Sequence, residues 1–232
     1  STSLGCDGVG ALWKVCAKAS SMGYERVVHT GPVEGELSED EDDDESMLDG
    51  DEAAADEAEA FSAEVNDTVR RAVESDHSVD NLALEINGLK FAQNRTFGDC
   101  VAAIIPALLE DLPLADKPKK DRFGVVKRIF RRWGPLVKRF VQTRADQDQV
   151  IESLVGCCAA SEALGDIFEL VLNALYERDD DLITEAAILR WADAAAEEDA
   201  GSDARTLLEK PGTAKYLEWL RNAEEDDDDD DD

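Results

Sequence analysis

Thr96-Phe97-Gly98-Asp99-Cys100-Val101-Ala102-Ala103-Ile104-Ile105-Pro106-Ala107-Leu108-Leu109-Glu110-Asp111-Leu112 is the stretch whose reading decides the fold. Thr96 is an N-cap residue, and Asp99 follows three positions later, where a side chain can answer the cap. Val101, Ile104, Ile105, Leu108, Leu109 and Leu112 then recur at helical spacing and define one apolar face. Pro106 lacks an amide hydrogen and should kink the helix it sits in.

The same spacing continues outward. Phe123, Val126, Ile129, Phe130 and Trp133 form one stripe, and Val150, Ile151, Leu154, Val155 and Cys158 form another. A further helix carries Leu164, Ile167, Phe168, Val171, Leu172 and Leu175. Thr184 reads as an N-cap, with Ile183 and Ile188 placed as a hydrophobic staple. The helix after it carries Ile188, Trp191, Ala192 and Ala195. A last helix carries Tyr216, Leu217 and Leu220, with Trp219 beside them. Strand-like alternation is scarce. The region 61–223 therefore reads as all-α, with about eight to ten helices stacked as antiparallel pairs in an α-solenoid.

The 232 residues carry 55 acids against 24 bases, a net charge of −31. Residues 34–59 hold fifteen Asp or Glu and no base, and residues 224–232 are nine consecutive acids. Residues 31–60 thus read as a disordered acidic linker and 224–232 as an acidic tail, because such compositions bury too little surface to offset chain entropy. Residues 1–30 are glycine-rich with a short apolar strip, Ala11-Leu12-Trp13-Lys14-Val15, and read as the last edge of a β structure. The absence of an initial methionine at Ser1 fits a fragment or a processed product.

This charge disfavours nucleic acid and anionic membranes and favours a basic partner. No apolar run approaches the ~20 residues of a membrane span, and no signal peptide is visible. Five cysteines without C-x-x-C spacing fit reduced thiols in a cytoplasmic protein, with no zinc site or disulfide framework. Phosphate-binding loops, G-x-S-x-G and H-E-x-x-H are absent, and His29 and His77 have no nearby Cys or His. Neither a cofactor nor a metal is expected, and no covalent chemistry.

Three constellations remain. In Asp80-Asn81-Leu82-Ala83-Leu84-Glu85-Ile86-Asn87-Gly88-Leu89-Lys90-Phe91, one acid lies inside an apolar helix pattern, with Ile86 and Glu85 competing for the buried face. Spacing alone makes Glu85 a surface glutamate. Residues 117–139 contain ten of the 24 bases, either a solvated helix face or a dock for an acidic partner or for the chain's own acidic runs. Tyr176-Glu177-Arg178-Asp179-Asp180-Asp181 runs through Thr184-Glu185 to Ile188-Leu189-Arg190-Trp191, and Leu217-Glu218-Trp219-Leu220-Arg221-Asn222-Ala223-Glu224-Glu225 follows. Carboxylates there offset a helix N-terminus. They can also pair with lysines whose stems lie on the aromatic rings.

These last two segments resemble the acidic and aromatic boxes of the C-terminal HEAT-type domain of translation initiation factors. That domain is shared by initiation factor 5, the epsilon subunit of initiation factor 2B and the large scaffold subunit of initiation factor 4. Asn81-Leu82-Ala83-Leu84-Glu85-Ile86-Asn87-Gly88-Leu89-Lys90 with Asn94 resembles the start of the epsilon domain. Leu4-Gly5-Cys6-Asp7-Gly8-Val9-Gly10-Ala11-Leu12-Trp13-Lys14 resembles the end of that subunit's left-handed β-helix.

The resemblance implies a guanine-nucleotide exchange segment that promotes GDP release from the gamma subunit of initiation factor 2. It implies exchange roles for Glu85, Leu84 and Thr68. It also implies that a lysine-rich tail of the beta subunit binds Asp179, Asp180, Asp181, Glu185 and Trp191, then Glu218, Trp219, Glu224 and Glu225. The other subunits of initiation factor 2B would be engaged through N-terminal domains absent from this chain. Many relatives carry a second aromatic where this chain has Ala192. The alternative is a non-catalytic module that assembles initiation factors.

Overall fold

The structure, a computed structural model, describes residues 48–178 and 182–227, with side chains described for 55–178 and 182–222. The expected β remnant at 1–30, most of the linker and the end of the acidic tail lie outside the described residues. The chain divides into two units, Ser1–Ala60 and Phe61–Asp232. The architecture below is that of the second.

Among the described residues there are ten helices and no strand, as the apolar spacing predicts. They are α1 (Leu48–Glu74), α2 (Val79–Ala92), α3 (Phe97–Leu109), α4 (Lys119–Phe140), α5 (Arg144–Ala160), α6 (Glu162–Gly165), α7 (Phe168–Tyr176), α8 (Glu185–Glu197), α9 (Asp203–Leu208) and α10 (Pro211–Asp227). Helix α1 starts at Leu48, inside the segment read from sequence as disordered linker. Its first turns are rich in alanine and glutamate, both strong helix formers.

The helices form two layers. One is α2, α4, α7 and α10, each packed on the next; the other is α3, α5 and α8. Alternate long helices are neighbours within a layer, with the short helices α6 and α9 inserted between them, the arrangement of a HEAT-type solenoid. Helix α3 is central and packs on both α5 and α4. Its apolar face is buried throughout: Cys100, Val101, Ile104, Ile105 and Leu108. Phe140, Leu136, Ile151, Leu154, Phe168 and Leu172 continue the same core. In α1, Phe61, Val65, Val69 and Ala72 share one buried stripe at i, i+4, i+8 and i+11.

Local signals set the helix starts. Thr96 accepts from the Asp99 amide at 3.1 Å, while the Asp99 carboxylate accepts from the Thr96 amide at 2.8 Å. Thr143 and Asp146 form a second capping box. There the buried Asp146 carboxylate accepts from the amides of Gln142 and Thr143 and from the Thr143 hydroxyl, at 3.0, 2.7 and 2.9 Å. Each such cap contributes ~1 kcal/mol. Helix α3 continues through Pro106 to Leu109.

One expectation is corrected. The stripe from Leu164 to Leu175 is two helices, α6 and α7, broken at Asp166 and Ile167. Gly165, the last residue of α6, sits in a close approach. A Cβ on Gly165 would lie 2.9 Å from the Cys158 carbonyl oxygen and 3.0 Å from Lys210 Nζ. The chain turns there against α5 instead of running past it.

Cys100, Cys157 and Cys158 are free and buried. Burial pushes the Cys100 and Cys158 thiols up to about 12, against partial opposition from Lys90 and Lys210 respectively. Both are held protonated in the fold, whereas in the unfolded chain they ionise near their ordinary value of 9.0. Their raised values favour the folded state below pH 9 and lose that contribution as pH rises toward 12. We therefore expect stability to denaturant to fall across that window, and less steeply in Cys100→Ala. At pH 8, alkylation with iodoacetamide should leave Cys100 and Cys158 unmodified until denaturant is added, since the thiolate is the reactive form. Rapid native-state labelling would contradict this placement.

Candidate functional site

The first candidate region lies where α1 meets α2. Leu82, Ala83, Ile86 and Lys90 are the buried residues of α2, so the ambiguity between Ile86 and Glu85 resolves in favour of Ile86. Glu85 turns outward as its spacing predicts. Leu84 beside it is 70% exposed. On α1, Thr68 is only 6% exposed, and its hydroxyl donates to the Glu64 carbonyl at 2.8 Å. Thr68 Oγ1 also receives Arg71 Nη2 at 3.4 Å, and the same nitrogen lies 3.7 Å from a Glu85 carboxylate oxygen.

The structure thus brings Thr68 and Glu85 together through Arg71. The Arg71–Glu85 pair is exposed and loose, and such pairs contribute ~0–1 kcal/mol. The fold holds Glu85 in place without satisfying its charge strongly.

Sequence reading did not single out Phe91, which is 75% exposed two turns beyond Leu84. The Lys90 ammonium lies 4.1 Å from the Phe91 ring centroid and 4.4 Å from that of Phe97. The i, i+7 spacing of Leu84 and Phe91 was the available signal for a shared face.

The second region is built by α7, α8 and α10. Asp179, Asp180 and Asp181 lie outside the described residues. Their anchor does not. Arg178 Nη1 donates to the Phe130 carbonyl of α4 at 2.8 Å. Its guanidinium lies over Gly134, where a Cβ would come within 2.5 Å of Nη1 and 2.6 Å of Cζ. Gly134 is therefore the seat of the residue that leads into the acidic segment.

On the far side of that segment, Leu182 and Ile183 are buried. Thr184 caps α8, accepting from the Ala187 amide at 3.4 Å and donating to Gln147 at 3.0 Å. Ile183 and Ile188 are both buried, as the staple predicts.

Glu185 is half-buried in the first turn of α8. Tyr216 of α10 faces it. The Tyr216 hydroxyl titrates above its ordinary range, first through burial and then through Tyr176, Glu177 and Glu185. Tyr216 stacks on Trp219 at 5.9 Å between centroids, and Trp219 is 53% exposed. Glu218 is exposed, whereas the side chains of Glu224 and Glu225 lie outside the described residues.

Trp191 is placed differently from Trp219. It is 9% exposed and meets Phe168 edge-on at 5.1 Å. It supports the surface from beneath. Ala192 is buried beside it. Tyr216 completes the acidic and aromatic patch with Tyr176 and Glu177, which open the constellation read from sequence; sequence spacing did not mark Tyr216 itself.

Of the ten bases of 117–139, several are tied to acids of neighbouring elements. Lys119 pairs with Glu169 at 2.7 Å, Arg122 with Asp166 at 3.0 Å, Arg132 with Asp76 at 2.6 Å, and Arg139 with Asp80. Among the described residues, no group of His, Cys, Asp and Glu is arranged to hold a metal ion. No described helix is long and apolar enough to cross a membrane.

Residues 146–230 match the W2 family, described as eIF4-gamma/eIF5/eIF2-epsilon. The chain is also similar to the translation initiation factor eIF2B subunit epsilon of Dictyostelium discoideum, 33% identical over 171 residues. The subunit of the same name from Schizosaccharomyces pombe is 26% identical over 164 residues. Each match covers 71% of this chain and 23% of the relative, so the chain spans about a quarter of the length of these curated relatives.

The Gly134 seat carries a test. Gly134→Ala should displace the Arg178 guanidinium and lower stability by at most ~1 kcal/mol, because the group that must move ends a flexible side chain and alanine is the better helix former. Urea denaturation measures this. Adding Arg178→Ala to it should recover most of the loss, because the clash disappears with the side chain. An unchanged midpoint in the single variant would mean that Arg178 does not depend on Gly134.

Proposed function

From the premise that this chain is related to the C-terminal region of the epsilon subunit of eIF2B and carries a W2 domain, we propose that it promotes GDP release from the gamma subunit of initiation factor 2. The observation that carries this reading is the outward pair Leu84 and Glu85 on α2, backed by Arg71 and Thr68 from α1. Leu84 offers an exposed apolar contact to the G domain. Glu85 offers a carboxylate that no strong ion pair consumes. Thr68 is a positioning residue: its hydroxyl holds Arg71, and Arg71 holds Glu85. No cofactor is needed, because exchange is a population shift. The chain has only to bind the nucleotide-free G domain better than the GDP-bound one.

The acidic and aromatic patch recruits the partner. Glu177, Glu185, Tyr176, Tyr216 and Trp219 gather there, with Glu218 exposed nearby. Asp179, Asp180, Asp181, Glu224 and Glu225 would add charge. A lysine-rich segment, proposed as the tail of the beta subunit, lays its alkyl stems on Trp219 and directs its ammonium groups to the carboxylates. Long-range attraction raises the encounter rate. This reading places the protein in translation initiation in the cytoplasm, with contacts to other eIF2B subunits made by segments outside this chain.

A second reading, an interaction module without exchange activity, is favoured by one observation. The W2 match begins at residue 146 and does not include α1 or α2, where Thr68, Leu84 and Glu85 lie.

Release of a fluorescent GDP from purified initiation factor 2 separates the two. With saturating chain, release should accelerate, and Glu85→Ala should remove about tenfold of that rate, or ~1.4 kcal/mol of transition-state stabilisation. Glu218→Lys with Trp219→Ala should raise the concentration needed for half-maximal effect and leave the saturated rate unchanged. Binding without acceleration would leave the interaction module as the function. If Glu85→Gln and Glu85→Asp lose activity equally, a simple charge role for Glu85 fails.

A further inference from the structure

Gly124 of α4 is the floor of a notch ringed by cations. A Cβ at this position would meet nothing within 4 Å. Lys120, Lys127 and Arg128 stand at i−4, i+3 and i+4 from it, the positions that adjoin a residue on a helix surface. Arg131, at i+7, continues the same face. Helical side chains lean toward the N-terminus, so Lys127 and Arg128 lean over the turn that holds Gly124. All four cations are exposed, and no ion pair holds any of them among the described residues. Lys127 only approaches the Phe123 ring, at 5.7 Å.

Four other bases of α4 are paired with acids of its neighbours. Lys119 and Arg122 pair with Glu169 and Asp166, toward α7 and the turn after α6. Arg132 and Arg139 pair with Asp76 and Asp80, toward α2. The four cations around Gly124 form the outward face between these two flanks. Asp121, the one acid of α4, sits in the first turn, three residues before Gly124.

We propose that this notch is a docking site for an acidic peptide segment of a partner protein, whose main chain closes on Gly124 while its carboxylates meet the four cations. The inference is independent of the exchange reading.

Charge complementarity sets the sign of the partner. On a chain of net charge −31, an acidic segment is repelled by most of the surface, which confines its binding to this face. The surroundings set the class of partner. Capture of single-stranded nucleic acid relies on aromatic platforms for the bases. The exposed large apolar side chains among the described residues are Val73, Leu84, Phe91, Phe97 and Trp219, and none belongs to α4. The cationic face is also one helix wide, because Asp76, Asp80 and Asp166 remain exposed within the pairs at its margins. Those margins repel the evenly dense charge of a phosphate backbone or a lipid surface.

A peptide can space its acids to fit. The rise from Lys120 to Lys127 is ~10 Å, and from Lys127 to Arg131 ~6 Å. Acids at the same intervals along a partner helix oppose all three cations. Gly124, between Lys120 and Lys127, lets the two backbones approach. The two arginines add forked, paired hydrogen bonds to carboxylates.

Fluorescence anisotropy of a labelled octaglutamate peptide, titrated with the full chain, tests the site. Arg128→Glu with Arg131→Glu should weaken binding about tenfold. Arg144→Glu with Lys215→Glu makes the same change in net charge at exposed residues of α5 and α10. It should leave affinity within about twofold, because distant exposed charges are screened. Gly124→Leu keeps every charge and fills the notch. It should weaken binding about fivefold, while α4 stays helical by circular dichroism because leucine is the better helix former.

Equal losses in the two charge-matched pairs would overturn the proposal, since binding would then follow net charge alone. Full affinity in Gly124→Leu would also overturn it, as would no saturable binding of octaglutamate below ~1 mM. Tighter binding of a single-stranded oligouridylate, lost in Arg128→Glu with Arg131→Glu, would assign the face to a phosphate polymer instead.

Discussion

Burial of α3 against α4 and α5 is the constraint on which the rest depends. Cys100, Val101, Ile104, Ile105 and Leu108 present a continuous apolar face, and they can leave water only if two later helices close over them. Once α4 and α5 are seated there, each becomes the platform for the next helix in its own layer. The solenoid thus propagates by nearest-neighbour packing, without pairing between distant segments. Capping boxes at Thr96 and Thr143 set where the two central helices start, and so set their register against each other.

That packing carries charge to defined places. The acidic and aromatic patch is assembled from α7, α8 and α10, none of which could hold it alone. Arg178 is the link between patch and core. Its guanidinium is stationed on Gly134 and a backbone carbonyl of α4, which fixes the point at which the acidic segment leaves α7. Trp191 fills the space under the patch, and Trp219 is left on its outer side. The two tryptophans look alike in a sequence motif. Their neighbours separate a buried anchor of the fold from a ring left half-exposed.

The same division of labour appears at the junction of α1 and α2. Thr68 faces inward and Leu84 outward, with Arg71 spanning the distance between Thr68 and Glu85. A substitution at Thr68 and one at Glu85 are therefore different perturbations. One loosens a support, and the other removes the group that the support presents. On α4, ion pairs with both neighbouring helices leave a single outward ridge of cations. A basic stretch in sequence thereby becomes a surface with a definite direction.

Much of this was legible from residue order alone. Helical periodicity identified an all-α domain, because an amphipathic face repeats within one or two turns and needs no distant partner to be recognised. Local caps at Thr96 and Thr184 were legible for the same reason. Glu85 was legible as an outward residue, but its spacing did not mark it as functional; the family resemblance did. Other features required the tertiary structure. The close approach at Gly165 depends on a carbonyl of α5 and a lysine before α10. Phe91 and Tyr216 stand out only by what fails to cover the one and what gathers around the other. Arg71 joined the site only when α1 was laid across α2. Sequence determined which faces are apolar and where the helices begin. Tertiary structure decided which polar groups meet, because those distances are set by contacts between residues far apart in the chain.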